Sequence, residues 1–60
     1  MHDWQKLAMH HGWQEINAGP DGESPCLYHN TLNRVWPLND WYGACLDIGL
    51  TEEDFADLPN

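Results

Sequence analysis

The chain has 60 residues, ten of them carboxylates and only two, Lys6 and Arg34, basic, for a formal net charge of −8. That balance excludes a nucleic-acid binder that works by phosphate neutralisation, which needs clustered lysine and arginine, and it argues against docking on anionic lipid. A length near the lower limit for independent folding leaves room for one core, so residues 1–60 form a single domain. Trp4, Trp13, Trp36, Trp41, Tyr28, Tyr42 and Phe55 supply it, and so many rings are not expected of a disordered acidic tail.

No apolar run approaches the roughly 20 residues of a membrane span, and residues 1–6 lack a basic region leading into an apolar one. The expectation is a cytoplasmic protein with no membrane partner. Cys26 and Cys45 are then expected to be free and reduced.

In chain order, Asp3 is placed to cap a helix whose apolar positions are Trp4, Leu7, Ala8 and His11. Trp13 and Ile16 continue it less cleanly past Gly12, where a kink or early stop is expected. Residues 17–23 are a cluster of turn formers and read as a loop. Ser24 and Pro25 open a second helix, with Tyr28, Leu32, Val35 and Trp36 on one face and Pro37 ending it. Asn39 is the expected cap of a third, striped by Trp41, Ala44, Cys45 and Ile48 and stopped at Gly49. Thr51 opens a last short helix over 52–58, with Asp54 completing an imperfect capping box and Phe55 and Leu58 as its apolar side. The expected fold is all-α, a compact bundle of three or four short helices. The alternative is a small α+β domain in which 27–31 is a strand paired with 41–50.

Chemistry finds little to work with. Cys26 and His29 have Cys-x-x-His spacing, which is half of a zinc site, and Cys45, His2, His10 and His11 are the only further soft ligands. The simpler account makes both cysteines small buried hydrophobes, so no metal or other cofactor is expected. A cysteine nucleophile needs an electropositive setting that lowers its pKa, whereas this chain would raise it. No catalytic residue is assigned, and the chain is expected not to be an enzyme.

The carboxylates are unevenly spread. Residues 35–60 carry Asp40, Asp47, Glu52, Glu53, Asp54 and Asp57 with no basic residue. Asp40, Glu52, Glu53 and Asp54 fall in predicted first turns, where the helix dipole favours them by about 0.3–1 kcal/mol each. Asp47 and Asp57 fall near predicted C-termini, against the dipole, and Glu53 and Asp57 form a like-charged i, i+4 pair. The expected partner-binding face is therefore Asp47, Glu52, Glu53, Asp54 and Asp57, with Trp36 and Tyr42 as aromatic anchors. Replacing Asp47 and Asp57 by lysine is expected to abolish binding while leaving the thermal midpoint unchanged or raised.

Dense carboxylates on short helices suit a basic groove that normally holds nucleic acid. In length, acidity and the basic-free stretch 35–60, the chain resembles the short acidic phage-encoded inhibitors of host defence, including anti-CRISPR proteins, though it shares no motif with them. The resemblance implies a stoichiometric DNA mimic with a basic nucleic-acid-binding protein, such as a Cas subunit, as partner. The competing expectation is an interaction module, an antitoxin or transcription-factor modulator, docking through a tryptophan-lined apolar patch.

Overall fold

A computed structural model describes residues 2–17 and 22–59. Its elements are α1 (Trp4–His10), β1 (Trp13–Asn17), β2 (Pro25–His29), β3 (Arg34–Trp36), α2 (Trp41–Asp47) and a 3-10 helix, Glu52–Asp57. The architecture is α+β, not the expected all-α bundle: a three-stranded antiparallel meander in the order β1-β2-β3, with the helices packed on one face. The α+β alternative was right in class and wrong in pairing. Leu27 faces Glu15 and Trp36 across the ladders, while residues 41–47 are helical.

Asp3 caps α1 as expected, its Oδ1 accepting from the Lys6 N–H at 3.1 Å. The helix then stops instead of running on to Ile16. Gly12 sits at φ +110, a conformation that side chains disfavour, and an added Cβ would also lie 2.8 Å from Nε2 of His29. Beyond Gly12 the chain extends, so Trp13 and Ile16 belong to β1. Most of the loop expected over 17–23 lies outside the described residues.

Residues 25–36, expected to be helical, form a hairpin. Pro25 begins β2, a position where a strand tolerates proline. As the middle strand, β2 buries Cys26, Leu27 and His29 on its two faces, giving a continuous apolar run that periodicity cannot distinguish from a buried helix. Asn33, at φ 55, turns the chain into β3.

His29 fixes this corner. Its Nδ1 accepts from the N–H groups of Thr31 at 3.3 Å and Leu32 at 3.1 Å, so the ring proton lies on Nε2, which donates to the His11 carbonyl at 2.7 Å. One imidazole thus ties the end of α1 to the β2–β3 turn.

The cap of α2 is Asp40 and not Asn39, which adopts φ 68 in the preceding turn. Asp40 accepts from the Gly43 N–H at 3.2 Å and from Trp36 Nε1 at 2.8 Å, joining β3 to α2. Gly43 leaves the space for this, since its Cβ would collide with the Asp40 carboxylate and lie 2.9 Å from Trp36 Nε1. The helix ends before Gly49, as expected. The core is Leu7, Ala8, Trp13, Leu27, Ala44, Cys45 and Leu50, with Trp4, Trp36, Leu38, Trp41, Ile48, Phe55 and Leu58 packed around it.

Two substitutions test these contacts. Replacing His29 by Leu orphans two backbone N–H groups and a carbonyl, and urea titration should show a loss of roughly 2–4 kcal/mol. Gly43→Ala should lower stability by about 1 kcal/mol even though alanine is the better helix former by a similar amount. A gain in the urea midpoint would show that the Asp40 bridge contributes little.

Candidate functional site

The 3-10 helix sets the geometry of the acidic face. With three residues per turn, side chains three apart eclipse, so Glu52, Phe55 and Leu58 share one row, Glu53 and Ala56 a second, and Asp54 and Asp57 a third. Phe55 and Leu58 pack against the core, Glu52 stands exposed at the start of their row, and Glu53, Ala56 and Asp57 are turned outward while Asp54 is half-buried. Glu53 and Asp57, expected to repel as an i, i+4 pair, lie on different rows.

The sequence-assigned carboxylates, with Trp36, divide into three groups. Glu52, Glu53 and Asp57 are exposed, and neither Glu53 nor Asp57 has a hydrogen bond or ion pair among the described residues. Asp54 is half-buried and completes the expected capping box with Thr51, its Oδ2 accepting from the Thr51 N–H at 2.7 Å. Asp47 and Trp36 do not belong to the face. Arg34 Nη1 donates to both Asp47 oxygens, at 2.9 and 2.8 Å, and the Asp47 side chain is only 17 % exposed. The carboxylate that seemed unfavourably placed at a helix end is neutralised within the chain by a strand residue. Trp36 is half-buried, with its N–H given to Asp40.

Tyr42 is the one assigned aromatic that projects, with 53 % of its surface exposed. It stands edge-on to Trp4, at a centroid distance of 4.7 Å, and Trp4 makes the same kind of contact with Phe55 at 4.8 Å. His2 stacks on Phe55 at 4.5 Å, with its Nε2 3.8 Å from Glu52. An aromatic cluster thus fastens the 3-10 helix to the first turns of α1 and α2 and sets Glu52 beside His2. Sequence reasoning missed His2, Trp4 and Phe55 as parts of this surface, because their contacts join three separate elements.

Behind the cluster lies Cys45, fully buried and donating its S–H to the Trp4 carbonyl at 3.5 Å. Burial pushes its thiol from an ordinary 9.0 up to about 11, with a further contribution from the charge of Asp54. A thiol held neutral is a packing group and not a nucleophile. Cys26 is likewise free and buried. It stands three residues from His29 on a strand, where alternation sends the two side chains to opposite faces, and both His29 nitrogens are already engaged. Among the described residues no three His, Cys, Asp or Glu side chains are grouped to hold a metal ion. No helix among them is long and apolar enough to cross a membrane.

Comparison with protein-family models, with characterised proteins and with solved structures finds no match to this chain.

The Arg34 bridge reverses one expectation. Asp47→Lys should lower the thermal midpoint, by roughly 1 kcal/mol of stability, by replacing an ion pair with two like charges. The Cys45 shift sets a pH window. Because the folded-state value is raised, its stabilising contribution is whole below pH 9.0 and lost as pH climbs through about 11. Urea titrations across that interval should fall more steeply for the native chain than for Cys45→Ala, and equal slopes would remove the thiol as the cause.

Proposed function

We propose that this chain is a non-catalytic acidic inhibitor that occupies the basic nucleic-acid-binding surface of a partner protein in the cytoplasm. The binding face is the outer side of the 3-10 helix, Glu52, Glu53 and Asp57, with Tyr42 as its aromatic anchor. One observation carries this reading. These carboxylates are exposed, Glu53 and Asp57 are uncompensated among the described residues, and Arg34, one of only two basic side chains, is committed to Asp47. Such a one-sign surface attracts a basic groove and repels nucleic acid.

The resemblance in size and charge to phage-encoded inhibitors of host defence makes a Cas surveillance complex the first partner to test, with the chain acting as a DNA mimic of the anti-CRISPR kind. A tryptophan-lined docking patch has less support. Trp13 is 1 % exposed, and Trp4, Trp36 and Trp41 are half-buried against the core.

The test is displacement of labelled target duplex from a purified Cas surveillance complex. The chain should displace the duplex, and its affinity should fall steeply between about 50 and about 300 mM salt, because exposed charges are screened within roughly 10 Å or less. Glu53→Lys with Asp57→Lys should weaken displacement at least about tenfold. Both residues are exposed, so the urea midpoint should hold or rise. Salt-independent binding would remove the mimic reading, and no displacement at all would remove the Cas partner.

A further inference from the structure

One of the four histidines lies on the acidic face. His2 Nε2 stands 3.8 Å from Glu52 Oε2, and the two side chains are 46 % and 72 % exposed. The contact does not need charge to form. The His2 ring stacks on Phe55 at 4.5 Å and meets Trp4 edge-on at 6.0 Å, and both of those rings pack against the core. A neutral imidazole is therefore already in place beside Glu52. So exposed a pair adds little to folding, and a change of charge at His2 acts on the surface and not on the fold. The other histidines sit elsewhere. His29 is buried with both nitrogens bonded to backbone, and His10 and His11 lie at the opposite end of α1, roughly 10 Å of helix away.

We propose that His2 is a proton-operated control on the acidic face: a proton on its imidazole weakens the hold on a basic partner, and loss of that proton restores it. This control rests on the acidic face being the binding surface, as proposed above, and gives that surface its regulation. Imidazole is the side chain whose ordinary change of charge falls between about pH 5 and 8. As a neutral group it leaves the charge of Glu52 open beside those of Glu53 and Asp57. As a cation it compensates Glu52 and also presents positive charge to an incoming lysine or arginine, so both effects oppose binding. The neighbouring elements bring no second group that does this. The 3-10 helix adds Glu53 and Asp57, turned outward, and Asp54, turned back to the Thr51 N–H. Ahead of α1 stands Asp3, whose carboxylate caps the helix, and α2 adds Tyr42, set against the neutral Trp4. Among the described residues no lysine or arginine lies within ion-pair distance of Glu52.

Titration of the intact chain with a short oligolysine peptide tests this, because lysine keeps its charge throughout the window in which an imidazole changes its own. The native chain should bind the peptide, more weakly as salt is raised. Between about pH 7.5 and about pH 5.5 it should lose roughly two- to fivefold more affinity than His2→Phe does. Phenylalanine keeps a ring against Phe55 and takes up no proton, and the other three histidines remain in both chains, so their part cancels. His2→Lys, with a permanent charge, should bind at about pH 7.5 as weakly as the native chain does at about pH 5.5. His2 is exposed, so the urea midpoints of both variants should stay close to the native one. An equal fall for the native chain and His2→Phe would overturn the control while leaving the acidic face in place, as would His2→Lys binding as tightly as the native chain at the higher pH. Absence of salt-dependent binding at either pH would remove the acidic face, and the control with it.

Discussion

The imidazole of His29 joins segments that the chain would otherwise leave apart. It is 5 % exposed, and each of its nitrogens meets backbone: the His11 carbonyl that ends α1 and the two N–H groups that open the β2–β3 turn. A ring buried this deeply is tolerated because nothing on it goes unbonded. Much of the surrounding geometry follows. Gly12 must lack a side chain where the ring approaches, Trp13 packs edge-on to it at 5.3 Å, and the turn it holds delivers Arg34 to Asp47.

A second constraint is how so many carboxylates fit on so small a domain with so little positive charge. Asp3, Asp40 and Asp54 each accept backbone N–H groups near the start of a helical segment, so their charges perform local structural work. Asp40 also receives the indole N–H of Trp36, which couples the cap of α2 to the end of the sheet. Asp47 is held by Arg34. What remains on the C-terminal side is Glu52, Glu53 and Asp57, a narrower face than the sequence suggested and one whose like charges oppose compactness.

The helical punctuation was legible in the sequence because it is local. Asp3, Gly12, Gly49 and the Thr51–Asp54 pair announce their roles through residue type and spacing of three or four positions. The sheet was not legible, for an equally physical reason. Tyr28, Leu32, Val35 and Trp36 fall at helical intervals by coincidence: Leu32 lies exposed in a turn, Val35 on the open face and Trp36 against the core. The middle strand buries residues that point to both of its faces, Cys26 to one and Leu27 and His29 to the other, and so shows no alternation to read. The informative signal was Asn30 to Asn33, since asparagine is enriched where φ is positive, and Asn33 adopts φ 55. The Arg34–Asp47 pair depended on that hairpin, so the misplacement of Asp47 followed from the misread fold and not from a misread charge.

The two surfaces left unsatisfied by folding are of opposite character and lie on opposite sides of the sheet. The 3-10 helix packs through Phe55 and Leu58 on the side where Trp13, Leu27 and Trp36 enter the core, whereas Val35 and its neighbours look away from it. Contacts made by one surface therefore need not obstruct the other.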